Sequence, residues 1–286
     1  MNPSEIKSVL NQLGGGANKR LGQHFLIDEA TLKTIVDHAP NHPAAVVLEI
    51  GPGLGVLTKE LLNKGCEVVA LERDGRFIDF LDSRLCGNDK RGIGNDDDRL
   101  RIVRGDAAEL DWMDVVGDRE WSLVSNLPYA ISSLALRLAL WSSRPAEHVV
   151  VLVQREVAER VIAKDGKTSL LSLMVALASS SSRIVRRVPP GAFFPPPKVE
   201  SAVLVIEPMP VPERFEKWRI DPQRIMDIAK VGFAHPRKKL IGNLATGEAA
   251  EKEKLQTVFR ELELSENVRA EELQPEQWAK LTQKLK

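Results

Sequence analysis

The run "VLEIGPGLGVLTKELL", residues 47–62, leaves a chain little freedom in how it folds. An apolar stretch ends at Gly51, Gly53 and Gly55 follow at alternate positions, and Leu57, Leu61 and Leu62 then recur at helical spacing. A strand that turns through glycines straight into a helix is the opening of a βα unit, and such a strand needs parallel neighbours and cover on both faces. Further apolar stretches supply the neighbours: "CEVVALE" (66–72), "LRIVRGD" (100–106), "WSLVSN" (121–126) and "HVVVLVQ" (148–154). Helical patterns are interleaved with them in "GRFIDFLDSRL", "ISSLALRLALW" and "REVAERVIA", and Asp28 is placed to cap an earlier helix carrying Leu32, Ile35 and Val36. The alternation predicts an α/β domain with a doubly wound, mostly parallel sheet.

The pattern then changes. "RIVRRV" and "VESAVLVIE" are strands joined by the proline-rich "PPGAFFPPPK" with no helix between them, which predicts an antiparallel hairpin added at one sheet edge and seven strands in all. Prolines punctuate "EPMPVPE" (207–213), so a boundary is expected there, giving a sheet domain over 1–210 and a small helical domain over 211–286. Trp218, Ile225, Ile228, Leu240 and Leu244 are the expected core of the latter. "CGNDKRGIGNDDD" (86–98) contains little that could pack and is expected to be an exposed, functionally neutral loop.

Composition narrows the classes. No apolar run approaches the roughly 18 residues of a membrane span, and "MNPSEIKSVLNQL" has no signal-peptide core. Cys66 and Cys86 match no zinc or redox spacing, which predicts reduced thiols in a cytoplasmic protein and no metal site. Forty Lys and Arg balance forty Asp and Glu, which argues against a uniformly basic nucleic-acid coat but leaves room for local basic faces.

The glycine loop has the spacing G-x-G-x-G, and Val56 stands where the dinucleotide fingerprint G-x-G-x-x-G needs glycine. Glu72 ends the second strand, 21 residues past Gly51, where an acid can meet ribose hydroxyls, and Asp106 ends the third, where a short acid can accept from an adenine amine. Glu49, just before the loop, either touches the ligand or orients the loop. These strand ends resemble the S-adenosylmethionine site of class I methyltransferases, a Rossmann-like fold.

At the end of the fourth strand stands "SNLPYA" (125–130), with the only tyrosine of the chain. An adenine N6 amine is a poor nucleophile because its lone pair is delocalised into the ring. Two acceptors that take both N–H bonds favour a pyramidal nitrogen, so no general base is required. Asn126 can supply a side-chain oxygen and Leu127 a carbonyl, Pro128 fixes the local backbone, and Tyr129 can stack on the base. In "AFFPPP", Phe193 is either an apolar loop residue packed on the hairpin or the second wall of a flipped-base pocket.

Four motifs in order, "KRLGQHFLID" (19–28), "EIGPGLGVLT" (49–58), "NLPY" (126–129) and "FFPPPKVESAV" (193–203), make the chain resemble the KsgA-type ribosomal RNA small subunit adenine dimethyltransferases from about residue 18 to its end. DNA adenine methyltransferases usually carry proline at the position of Leu127, and the erythromycin-resistance rRNA methyltransferases are close relatives. The resemblance implies N6,N6-dimethylation of two adjacent adenosines in the loop of the 3′-terminal helix of small-subunit (16S) rRNA, within an immature ribosomal subunit. It implies that His24, Leu26, Gly51, Gly53, Glu72, Asp106 and Asn126 bind S-adenosylmethionine, and that Tyr129 and Phe193 sandwich the target base. Asparagine is frequent in the family at the position of His24.

Three basic clusters, "NKR" (18–20), "RIVRR" (183–187) and "HPRKK" (235–239), could follow an RNA backbone, and Arg237, Lys238 and Lys239 are expected to contact rRNA phosphates. A monomer is expected. Two other classes compete: a nicotinamide-dependent dehydrogenase, against which Val56 and the lack of a hydride-transfer histidine argue, and a non-catalytic RNA-binding assembly factor, against which Asn126 and Tyr129 argue.

Overall fold

In a computed structural model, residues 1–18, 21–42, 45–86, 98–163, 166–247 and 249–285 are described. Lys19 and Arg20 of the first motif and most of the "GND" segment lie outside the described residues, as does the side chain of Cys86.

The chain forms two compact units, residues 1–158 with 183–208, and residues 159–182 with 209–286. The first holds a seven-stranded sheet. In chain order the strands are β1 (Phe25–Leu26), β2 (Val46–Ile50), β3 (Glu67–Glu72), β4 (Leu100–Arg104), β5 (Trp121–Asn126), β6 (Val149–Gln154), β7 (Ser179–Val188), β8 (Phe193–Phe194) and β9 (Ser201–Pro208). The order across the sheet is β4-β3-β2-β5-β6-β9-β7, while β1 and β8 pair separately. From β4 to β6 all neighbours are parallel, and β9 lies antiparallel to β6. The expected hairpin strands sit at one edge of the sheet, and it is the later one, β9, that lies against β6, leaving β7 outermost. This is the doubly wound, mostly parallel α/β architecture that the alternation predicts.

Burial explains the strand order. Every residue of β2 is buried, as are Trp121–Ser125 and Val149–Val153, which suits central strands covered on both faces. At the outer strand β4 burial is partial, with Arg101 and Arg104 exposed. The helix Glu29–His38 starts at Asp28, whose carboxylate accepts from Thr31 N at 2.8 Å, as the capping pattern predicts.

An element that the polar composition of the N-terminus conceals is the helix Pro3–Gln12. Asn2 and Glu5 cap it reciprocally, and Ile6 and Leu10 bury against Phe25, Leu54 and Phe77.

The second unit packs the helices Leu170–Ala178, Val211–Trp218, Pro222–Gly232, Leu240–Thr246, Lys252–Glu261 and Pro275–Lys284. Trp218, Ile225, Leu240 and Leu244 are buried as expected, whereas Ile228 is half-exposed and Met226 takes a buried place instead. The expected boundary at 210/211 lies beside the last crossing of the chain at 208/209, but residues 159–182 also join the helical unit. The reason is the helix Leu170–Ala178, "LLSLMVALA", which is apolar almost all round and packs on Val211–Trp218, Pro222–Gly232 and Pro275–Lys284.

Candidate active site

The sheet reverses its winding between β2 and β5, since β2 runs on to β3 on one side and lies beside β5 on the other. Ligands of such sheets bind at the carboxyl end of this switch point. The β2/β5 ladder stops at Leu48 and Leu123, and beyond it the buried Ser125 hydroxyl donates to Ile50 O at 2.8 Å, bridging the strands as they part. A cavity of about 440 Å³ opens there, within the roughly 300–1,000 Å³ of small-molecule sites. His24, Leu26, Gly51, Gly53, Glu72, Asp106 and Asn126 all line it, together with Leu127, Pro128 and Tyr129.

The glycine loop forms one wall. Gly51, Gly53 and Gly55 have φ of +67°, +56° and +73°, a region that suits glycine, and Val56 begins the helix Val56–Asn63. Gly53 also allows close packing, since a Cβ there would lie 3.2 Å from the ring of Phe25. Its N–H donates to Glu72 Oε2 at 3.2 Å. The other Glu72 oxygen accepts from the N–H of Arg73 and of Asp74, at 2.8 and 2.7 Å. Burial pushes the Glu72 carboxyl up, and these three bonds act against it. Glu72 is thus a fixed acceptor at the end of β3.

Asp106 stands at the end of β4, after Gly105, where any Cβ would come within 2.4 Å of Leu110 Cδ1. One of its oxygens accepts from Ala108 N at 2.9 Å, and the other pairs with the Arg73 guanidinium at 2.9 Å. Arg73, which the sequence reading did not single out, therefore borders the cavity beside the expected adenine acceptor.

Glu49 is fully buried beneath the loop. Burial raises its carboxyl to about 8, helped by the nearby Glu72 charge, while a bond from the Thr58 hydroxyl at 2.7 Å pulls the other way. Of its two expected roles, that bond to the helix Val56–Asn63 supports orientation of the loop.

At the end of β5, Asn126 Nδ2 donates to His24 O at 3.3 Å, which leaves Oδ1 on the other side of the amide. Among the described residues neither Asn126 Oδ1 nor the carbonyl of Leu127 accepts a hydrogen bond. The Tyr129 ring stacks on the His24 imidazole, with centroids 5.9 Å apart and planes at 27°. His24 Nδ1 donates to Pro195 O at 2.7 Å.

Phe193 requires a correction. It is not a wall of the cavity: it is 2% exposed, pairs with Leu26 across β1 and β8, and packs in the core with Val203 and Val205. In a two-residue strand adjacent side chains face opposite sides. Phe194 takes the other side, half-buried beneath Lys7, whose Nζ lies 5.5 Å from the ring centroid. The packed-loop alternative therefore describes Phe193, and His24 is the aromatic ring that meets Tyr129.

Of the basic clusters, that on β7 is engaged within the protein. Arg186 binds Thr31 Oγ1 at 3.0 Å and Asp28 at 3.4 Å, and Arg183 lies 3.7 Å from Glu207. Arg237, Lys238 and Lys239, in the helical unit, are exposed and carry no ion pair among the described residues. Their turn is held by the buried Asn243, whose Nδ2 donates to Gly232 O at 2.6 Å and to His235 O at 3.1 Å. Among the described residues no cluster of three or more His, Cys, Asp or Glu could hold a metal ion, and no helix is long and apolar enough to cross a membrane.

Comparison with known proteins adds the following. A family model described as "Ribosomal RNA adenine dimethylase" matches residues 15–286. A ribosomal RNA small subunit methyltransferase A from Dehalococcoides mccartyi strain CBDB1 is 36% identical over 279 residues, covering 97% of this chain and 91% of that protein. One from Thermosynechococcus vestitus is 37% identical over 277 residues, covering 94% and 97%. The crystal structure of a dimethyladenosine transferase from Plasmodium falciparum superposes with a TM-score of 0.72 at 24% identity over 90% of this chain and 96% of that one. The 23S rRNA methyltransferase ErmE gives 0.68 at 22%, over 91% and 99%. Both structural matches show the fold.

Proposed function

Because the chain belongs to the ribosomal RNA adenine dimethylase family, we propose that it transfers methyl groups from S-adenosylmethionine to N6 of two adjacent adenosines in the 3′-terminal helix loop of 16S rRNA. The substrate is the rRNA of an immature small subunit, and the protein acts as a cytoplasmic monomer in subunit biogenesis. The observation that carries this reading is the pair of acceptors, Asn126 Oδ1 and the Leu127 carbonyl, on two residues that line the cavity, neither of which accepts a hydrogen bond among the described residues.

The cavity fits the cofactor. The glycine loop lets backbone approach closely, Glu72 is a rigid acceptor suited to ribose hydroxyls, and Asp106 retains lone pairs for an adenine amine. His24, Leu26, Gly51, Gly53 and Asn126 complete the set. When bound, S-adenosylmethionine supplies an electrophilic methyl group on a sulfonium. The chain's own part is positional. Asn126 and Leu127 accept the two N6–H bonds of the target adenine, which frees the nitrogen lone pair, and no side chain need act as a base. Tyr129 offers a ring face to the base, and such stacking contributes about 1–3 kcal/mol.

In the helical unit, the exposed cations of the basic turn, which carry no ion pair among the described residues, favour contact with rRNA phosphates. A protein that only bound RNA would have no use for a cavity with carboxylates at two strand ends. The test is methyl transfer to undermethylated small subunits with mapping of the modified bases. N6,N6-dimethyladenosine at two adjacent positions is expected, and binding without transfer would reduce the protein to an assembly factor. In the same assay, Arg237, Lys238 and Lys239 changed together to Glu should weaken subunit binding and flatten its salt dependence while cofactor affinity stays. An unchanged salt slope would remove the turn from the RNA contact.

A further inference from the structure

We infer that Ser201 is a positioning residue for Tyr129: its hydroxyl tethers the phenol, so that Tyr129 meets the target base with its ring face and its own hydroxyl takes no part in proton transfer. The inference rests on the proposed base-stacking role of Tyr129.

Tyr129 follows Pro128 and begins the short 3₁₀ turn Tyr129–Ile131, outside any strand. Nothing in so short a turn fixes a long side chain. The fixing comes from elsewhere. Tyr129 Oη and Ser201 Oγ are 2.7 Å apart, and Ser201 is fully buried as the first residue of β9. Its backbone pairs with Gln154 at the end of β6, and β6 in turn pairs with β5, the strand that delivers Asn126. The tether is thus anchored in the rigid sheet, two strands away from the acceptors whose geometry matters. A second contact of the ring is the imidazole of His24, itself held by Pro195 O.

Both contacts therefore lead into the segment 193–201. That gives "FFPPPKVESAV" a physical task other than the one assigned to Phe193. Pro195 and Ser201 fix the aromatic pair at the cavity from outside, while Phe193 holds the segment to the core. A phenol bonded to a buried serine is poorly placed as an acid or base. Burial also pushes the phenol's pKa up, with the Ser201 bond acting against that, so the neutral form persists at physiological pH.

Tyr129 is the only tyrosine of the chain, so tyrosinate absorbance reports on this ring alone. Three variants, Ser201→Ala, Tyr129→Phe and their double, separate the possibilities in the full-length protein with undermethylated small subunits as substrate. Loss of one hydrogen bond predicts a fall in kcat of about 5- to 10-fold for each single variant. KM for the subunit and affinity for S-adenosylmethionine should not move. The double variant should fall no further than the lower single. Ser201→Ala should also shift the tyrosinate titration upward, because the bond it removes favours the anion.

Multiplicative losses in the double variant, or a titration shift without loss of kcat, would overturn the positioning role. An unmoved titration would show that no tether exists. Tyr129→Ala serves as the control on the underlying reading: full kcat in that variant would sink Tyr129 as a base platform, while the titration still decides the tether separately.

Discussion

At the ends of β3 and β4 the protein satisfies its own acceptors, whereas at the end of β5 it leaves them open. Glu72 takes three backbone N–H groups and Asp106 takes Arg73 and Ala108. Asn126 Oδ1 and the Leu127 carbonyl, on residues that line the same cavity, take none among the described residues. Glu72 is a buried carboxyl that desolvation pushes toward the protonated form, and its three N–H donors act against that. Neutral carbonyl oxygens at a cavity wall cost far less to leave unpaired. Under the proposed function the difference would separate two tasks: one end pre-organised to hold a ligand that stays, the other keeping hydrogen-bond capacity in reserve for a nitrogen whose bonding changes during reaction.

The sharpest way to break that contrast is Asn126→Ala. Removal of one pre-organised group of this kind should lower kcat by about 10²- to 10³-fold, with a much smaller loss of cofactor affinity in a direct titration. If affinity fell as far as kcat, the two ends would be doing one task.

Glu72→Gln should give the reverse. Losing a charged acceptor should weaken S-adenosylmethionine binding by about 10- to 100-fold, read by calorimetry, while kcat at saturating cofactor is largely retained. A kcat loss at saturation would place Glu72 in the chemistry.

The smallest effect concerns Glu49, which lies under both ends. Its folded-state value near 8 exceeds the ordinary 4.5, so the folded state holds a proton that the unfolded state has released. The Glu49 contribution to stability therefore declines as pH rises from about 4.5 to about 8. Glu49→Gln should flatten that decline and raise the melting temperature by several degrees above pH 8, with little change near pH 4.5, in thermal unfolding at stepped pH. An identical slope in the variant would mean that Glu49 is ionised in the folded protein.

Much of the candidate cavity's lining could be read along the chain because its parts are short motifs at strand ends. The glycine loop, Glu72, Asp106 and Asn126 each follow an apolar run that declares a buried strand, and the end of such a strand is where a parallel sheet opens. The N-terminal helix was also within reach: Asn2, Pro3 and Glu5 are a capping signature, masked only by the polar look of the segment. Phe193 and Phe194 could not be told apart in that way. Both are aromatic and adjacent, and the pairing of β8 with β1 decides which one enters the core.

Local patterning along this chain was enough to specify its elements, its parallel sheet and the chemical character of each strand end, because those depend on neighbouring residues and on burial. Which groups then bond to one another depended on folding. Tyr129 and Ser201 are 72 residues apart, and His24 and Pro195 are 171 apart. Arg73 meets Asp106 only because β3 and β4 lie side by side. Contacts at such separations arise from strand order and register, which bring together side chains that no spacing in the sequence relates.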